Sequence, residues 1–276
     1  MLAAMLALAI GVVLGMLGGG GAILTLPMLV LVLGVPPKTA IAMSLFVVGT
    51  TSLVGCALHA RAGRVRWKIG AIFGAGGMTG AFAGGRLAHY VPASVLMLGF
   101  AAIMLLTAAA MLRDTVERER PARTLALGRA LVLGAAVGVV SGLVGAGGGF
   151  LIVPALTLLG GLAVREAVAT SLLVISMQSF AGFAGHFEHV VIDWRLAGIV
   201  TAATILGTVA GSSIGQSTSP ATLKRAFAWL VLGMGSFIFG AHLPIAATVV
   251  VVVGVLAFAL TARAVRGAPA SASRRE

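Results

Sequence analysis

Apolar tracts long enough to cross a bilayer follow one another along nearly the whole chain, at about 2–34, 39–60, 67–88, 92–112, 126–161, 166–187, 194–215, 222–241 and 243–262. An α-helix of roughly 20 residues spans the ~30 Å hydrocarbon layer. In that layer every backbone N–H and C=O must be paired within the protein, which leaves helices or a closed barrel. Barrel strands alternate apolar and polar residues over about 10 positions. These tracts are instead continuous and rich in Ala, Leu, Val and Gly. The chain therefore reads as an all-α polytopic membrane protein. Its balance agrees, with 59% hydrophobic and 9% charged residues, against about 25% charged in a soluble domain.

The formal net charge of +12 would invite a nucleic-acid reading in a soluble protein. Here the basic residues lie in short loops and at the C-terminus, where they orient a membrane protein, and no nucleic-acid partner is expected. Cys56, the single cysteine, sits in an apolar tract and reads as a small buried hydrophobe. No Lys or Arg precedes the first apolar stretch, MLAAMLALAIGVVLG, unlike the positive start of a cleaved signal peptide. That stretch is expected to be retained, with no extramembrane domain before it.

An internal repeat organises the chain. GMLGGGGAILTLP, Gly15 to Pro27, recurs 127 residues later as GLVGAGGGFLIVP, Gly142 to Pro154. The register holds without a gap far beyond the glycines. Ser44 meets Ser171, Ser52 meets Ser179, His59 meets His186, Trp67 meets Trp194, and Gly80 and Gly84 meet Gly207 and Gly211. Coincident His and Trp carry weight because the chain has only five His and three Trp. Duplication of this kind is common in secondary transporters and points to a site between the repeats.

The first and fifth tracts are too long for one straight helix. Each holds a glycine cluster and then Pro27 or Pro154. Glycine runs weaken a helix and proline clashes with the preceding turn, so each tract is expected to form two short helices meeting at a glycine-rich break. Loop charges then choose between a kinked single crossing and a hairpin that returns to its starting side. Arg61, Arg64, Arg66 and Lys68, the arginine-rich linker 113–125, Lys224 with Arg225, and the basic tail all belong inside. The Glu188–Asp193–Arg195 loop belongs outside. Only hairpins satisfy all five assignments. They make the two repeats inverted, with the N-terminus outside. The expected organisation is a first transmembrane repeat at 1–112, a cytoplasmic linker at 113–125, and a second repeat at 126–241. An additional C-terminal span at 242–262 and a disordered basic tail at 263–276 complete it.

The glycine breaks are the first candidates for binding. Gly18, Gly19, Gly20 and Gly21, and Gly145, Gly147, Gly148 and Gly149, bare their backbone N–H groups just before helix N-termini, an arrangement that attracts anions. The competing reading is that they only allow close helix crossing. Ser44 and Ser171 open the following helices. A polar stripe of Thr50, Thr51, Ser52, Ser176, Gln178 and Ser179 continues inward. Gln178 is the best of these, because its own backbone satisfies an amide less readily than a hydroxyl. His59 and His186 are candidates for coupling, since imidazole carries a proton near physiological pH. His89, His189 and His242 read as solvated loop residues, and Trp67 and Trp194 as interfacial anchors. All seven acidic residues are placed in loops or the tail, which disfavours a carboxylate proton relay or cation site. No convergent catalytic set, metal-ligand cluster or cofactor motif is visible, so no enzyme activity, metal or cofactor is expected.

The pattern GxxGxGGGxxxxP at Gly142–Pro154, followed by ATS at Ala169–Ser171 and by GHFEHVVIDW and GSSIG, resembles the sulfite exporter TauE/SafE family of membrane transporters. The resemblance covers about Gly11 to Leu260. It implies seven to nine spans in two halves and export of sulfite, sulfoacetate or a related sulfur-containing anion across the bacterial inner membrane. The first copy departs from the pattern, with Gly19 opposite Ala146, Ala22 opposite Gly149 and AMS at Ala42–Ser44, which leaves the substrate unspecified. The expected function is a secondary transporter of a small anion by alternating access, with protons as a candidate coupling ion. A non-transporting membrane scaffold or accessory subunit, or an anion channel, is the alternative. The expected partners are the anionic solute and membrane lipids, and a homodimer is admitted.

Overall fold

The computed structural model describes residues 2–17, 22–112, 127–145, 148–158, 161–214 and 220–242. All regular structure among them is helical. The helices are α1 (Leu2–Leu17), α2 (Thr25–Pro27), which continues as a π-helical turn (Met28–Val32), α3 (Pro37–Arg61), α4 (Trp67–Ala88) and α5 (Ala93–Leu112). They are followed by α6 (Leu127–Val144), α7 (Gly149–Leu158), α8 (Val164–Phe187), α9 (Trp194–Ile214) and α10 (Pro220–His242). Four stretches, Pro37–Arg61, Leu127–Val144, Arg165–Phe187 and Trp194–Ser213, are both long and apolar enough to cross a membrane. The expected span at 243–262, the linker 113–125 and the tail lie outside the described residues.

Both long tracts are divided into separate helices. Between α1 and α2, and between α6 and α7, a long helix gives way to a short one. After Pro27, which has no N–H to donate, the helix widens to a π-helical turn and ends at Leu33. Both short helices then stop in the same way. Gly34 and Gly161 adopt left-handed backbone, with φ of +66° and +63°. The next N–H reaches back six residues, Val35 to Leu29 at 2.9 Å and Leu162 to Leu156 at 3.2 Å. Glycine takes that conformation without steric cost, and the back-bond satisfies a carbonyl the helix end would leave open. α3 begins immediately afterwards with Pro37 in its first turn, where a missing N–H costs nothing.

The repeat reappears in the packing. A Cβ on Gly11 or Gly15 of α1 would strike the carbonyl of Thr204 or Thr208 of α9, and one on Gly207 or Gly211 would strike that of Leu8 or Val12. Moving each residue to its repeat mate gives the second interface. Gly138 and Gly142 of α6 lie on the carbonyls of Gly77 and Ala81 of α4, and Gly80 and Gly84 lie on those of Ala135 and Val139. Backbones approach this closely only where glycine removes the side chain, the usual device where lipid supplies no hydrophobic drive for association.

Numbers rise together in both interfaces, so α1 runs parallel to α9 and α6 runs parallel to α4. α8 is parallel to α4, with Gly70 near Leu173, Gly74 near Met177 and Gly85 near Gly185. α3 is antiparallel to α8, with Gly49 near Ser179 and Gly55 near Leu172. It is also antiparallel to α4, since Lys38 Nζ at its start donates to the His89 carbonyl just past the end of α4 at 2.7 Å. α9 follows α3, with Trp194 edge-on to Phe46 and Gly55 near Thr208. Leu14, Val48, Phe73, Leu172 and Ile175 fill the interior.

Two ion pairs join the ends of α4 and α8, Arg66 with Glu166 at 2.6 Å and Arg86 with Glu188 at 2.7 Å. Glu166, expected in a loop, falls in the first turn of α8, where a carboxylate suits the positive helix end. The contacts group residues 1–97 with 119–219 as one unit and 98–118 with 220–276 as a second. Within the second unit, Gly235 of α10 faces Met104 and Leu105 of α5.

Candidate functional site

Gly145 and Gly148 are the described residues between α6 and α7. α6 ends at Gly145, whose left-handed backbone (φ +74°) turns the chain while its N–H closes on the Ser141 carbonyl at 2.9 Å. The Gly145 carbonyl faces α3 and accepts a hydrogen bond from Ser44 Oγ at 2.7 Å. That hydroxyl also lies 2.8 Å from the Ile41 carbonyl. A Cβ at Gly145 would stand 2.9 Å from Ile41 Cα, so glycine is required by both conformation and space. Gly148 is the second left-handed residue, with φ +64°, and Gly149 opens α7. The first N–H groups of a helix have no intrahelical acceptor and carry the positive end of its dipole.

Gln178 meets this break from α8. Its side chain is fully buried, and neither Nε2 nor Oε1 has a hydrogen-bond partner among the described residues. Oε1 lies 3.3 Å from the point a Cβ on Gly148 would occupy, and Ser141 Oγ lies 3.4 Å from the same point. The Ser141 hydroxyl is also buried and unpartnered. On its other side the Gln178 amide rests against Gly77, midway along α4, where a Cβ would overlap it. Leaving a buried polar group unpaired costs about 1–3 kcal/mol, and two such side chains lie beside the start of α7.

The polar stripe divides in two. Thr50, Thr51 and Ser176 donate back to carbonyls of their own helices, Phe46, Val47 and Leu173. Ser52 and Ser179, which are repeat mates, are buried without a partner among the described residues, as is Thr25. Ser171, the mate of Ser44, donates to Val168 at 2.8 Å. Gly18, Gly19, Gly20, Gly21 and Gly147 lie outside the described residues.

The two histidines differ. His59 is half-buried near the end of α3. His186 is buried, and its Nε2 lies 2.8 Å from the carbonyl of Gly142. That carbonyl belongs to the last turn of α6, where helices leave acceptors open, so the Nε2–H tautomer caps it. Replacing His186 with Leu should cost about 1–3 kcal/mol by stranding a buried acceptor, while Gln, which keeps a donor, should recover most of it. Melting curves in detergent check this, and an unchanged midpoint for the Leu variant would remove the cap from the account. His89 and His189 are exposed and stacked 4.2 Å apart. Trp194, half-exposed, packs on Phe46, Phe183 and Phe187.

Ser141 and Gly77 escaped sequence reasoning. A signal for Ser141 was present, since it is a hydroxyl where the first repeat carries Leu14. No group of three or more His, Cys, Asp or Glu able to hold a metal occurs among the described residues.

The family model for "Sulfite exporter TauE/SafE" matches residues 3–238. A protein of Bacillus subtilis, "Probable membrane transporter protein YdhB", is 31% identical over 223 residues, covering 79% of this chain and 91% of that protein. A "Probable membrane transporter protein" of Xylella fastidiosa is 31% identical over 240 residues, covering 83% and 90%. One from Methanocaldococcus jannaschii, MJ0441, is 27% identical over 247 residues, covering 83% and 92%. No solved structure matches the chain.

Proposed function

This chain belongs to the sulfite exporter TauE/SafE family, multi-pass membrane transporters of the bacterial inner membrane, and from that premise we propose that it exports a small sulfite- or organosulfonate-like anion by alternating access. The observation that carries the anion is the second glycine break. Gly145 and Gly148 bare the start of α7 beside the Ser141 hydroxyl, which has no partner among the described residues, with Ser44 holding the Gly145 carbonyl and no carboxylate among the described neighbours. An anion leaving water needs such donors in compensation.

Alternating access is supported by helix direction. α1, α3 and α9 run one way, while α6, α8 and α4 run the other. Each of these six helices thus opposes its repeat mate, as inverted repeats require. α1 and α3 running the same way supports a returning segment between them, and we propose that this is the glycine-broken hairpin. Transporters of this design bind at the interface of the repeats near the bilayer midplane, and Gly77, against which Gln178 rests, lies midway along α4. Gly18–Gly21, together with Ser171 as the repeat mate of Ser44, are proposed as the matching part at the first break. His59 and His186 are the titratable side chains placed to couple transport to protons, and a homodimer is consistent with a polytopic chain of this size.

Flux measurements test the proposal. Vesicles reconstituted with the purified protein and loaded with sulfite or sulfoacetate should lose the anion saturably, faster under one direction of proton gradient. Absence of flux for every small anion in a panel, under either gradient, would favour a scaffold. A large conductance per molecule would favour a channel.

A further inference from the structure

The amide of Gln178 is open at both ends. Its Nε2 can donate and its Oε1 can only accept, and neither is engaged by a described group although the side chain is fully buried. In the break Oε1 is the atom that faces Gly148, at 3.3 Å from the point its Cβ would occupy, while Nε2 lies against Gly77 on the other side of the amide. A fully ionised, acceptor-only anion there would engage the Ser141 hydroxyl and the first N–H groups of α7. It would leave Oε1 facing it with a lone pair, a repulsive contact that is expensive at low dielectric. Ser141 could turn its hydrogen toward Oε1, but that withdraws a donor from the anion. A guest that satisfies the whole set presents acceptors to the donors and one hydrogen of its own to Oε1.

Among the described residues the first repeat offers no second copy of this device. The mate of Gln178 is Thr51, whose hydroxyl is committed to the Val47 carbonyl at 2.7 Å, and the mate of Ser141 is Leu14. Glycine at position 77 is what admits the amide, since any side chain there would overlap it. In α9 the mate of Gly77 is Thr204. One recognition point, on the second repeat's side, is therefore built into an otherwise duplicated fold.

We infer that Gln178, set by Gly77 and flanked by Ser141 and Gly148, is the specificity determinant of the transport site and selects anions that carry their own hydrogen-bond donor. This inference rests on the anion-transport reading given above. The donor has two chemical sources: a hydroxyl substituent on an organic anion, or the proton of a singly protonated oxyanion.

Calorimetry on the purified full-length protein tests both. For the first source the probes are 2-hydroxyethanesulfonate and ethanesulfonate, which differ by one hydroxyl. The wild type should prefer the hydroxylated probe by at least tenfold, and Gln178→Leu should abolish the preference while keeping residual binding of both. Gly77→Ala, which displaces the amide without deleting it, should do the same. For the second source the probe is sulfite itself. Its affinity should fall as pH rises through the second ionisation of sulfite, whereas the affinity for ethanesulfonate should stay level over the same range.

A preference in either arm that Gln178→Leu removes supports the inference. Equal affinity of the wild type for both sulfonates, together with a level pH profile for sulfite, overturns it and leaves the anion reading standing. A preference that survives in Gln178→Leu also overturns it. Failure of the wild type to bind any of the three probes overturns the inference and counts against the anion reading together with it.

Discussion

Alanine at Gly80 or at its repeat mate Gly207 should be the most destabilising single-methyl change in this protein. The added Cβ of Gly80 would overlap the Ala135 carbonyl of α6 and crowd the Val139 N at 2.9 Å, while that of Gly207 would overlap the Leu8 carbonyl of α1. Both obstacles are backbone inside a helix and cannot step aside as a side-chain tip could. The helices must part along their whole contact. Overpacking a tight site costs about 1–3 kcal/mol and occasionally more, and these positions should reach the upper end. Because the two interfaces are equivalents, the two variants should lose similar amounts. Gly198 of α9 is the internal control, for nothing lies within 4 Å of its added Cβ. Alanine there should raise stability by about 0.4–1 kcal/mol, since it removes only freedom of the unfolded chain. Melting of the three variants in one detergent checks the prediction. Equal behaviour at all three positions would mean that the helix contacts are looser than described.

Alanine at Gly148 should act on binding instead. Its left-handed φ costs an ordinary residue roughly 1–2 kcal/mol, so a moderate drop in stability is expected. The larger consequence is local. The new methyl would stand 3.3 Å from Gln178 Oε1 and 3.4 Å from Ser141 Oγ, filling the space on which both unpartnered groups converge. Anion affinity should fall at least tenfold, equivalent to about 1.4 kcal/mol, and transport should fall with it. Gly145→Ala shares the backbone strain and adds a clash with Ile41, so it should lose more stability than Gly148→Ala. Calorimetric affinity beside a thermal melt separates the two quantities. Full affinity in a destabilised Gly148→Ala protein would make the break a packing device only.

These two classes of glycine have much in common in the sequence. Gly80 and Gly148 both belong to the repeat, and both stand in glycine-rich, apolar surroundings. One lies in the middle of α4 with ordinary helical backbone, and the other is a left-handed turn beside a buried amide. The sequence marks Gly148 as part of a glycine break and Gly80 as a lone helix glycine, but not what either one meets, because a glycine records only that a side chain is missing. What fills or avoids the vacated space belongs to another helix far along the chain.

The sequence by itself determined the helical class, the limits of most described helices and the duplication. Each of these follows from local chemistry: apolar length against bilayer thickness, backbone groups that must pair within one segment, and glycine and proline that interrupt a helix. The helix ends found at 61, 67, 88, 112, 127, 144, 187, 194 and 214 lie within about two residues of the expected tract limits or breaks. Only the tertiary structure decided which polar residues remain open. Thr51 and Gln178 are repeat mates on equivalent helices, yet one is satisfied by its own backbone and the other is held away from every described partner. A hydroxyl close to its own backbone finds an acceptor in the preceding turn whatever surrounds it. A longer amide depends on what the neighbouring helices bring, and here they bring Gly77, Gly148 and an unpartnered Ser141. That arrangement arises from three segments spread across more than a hundred residues, and it exists only once α4, α6 and α8 have packed.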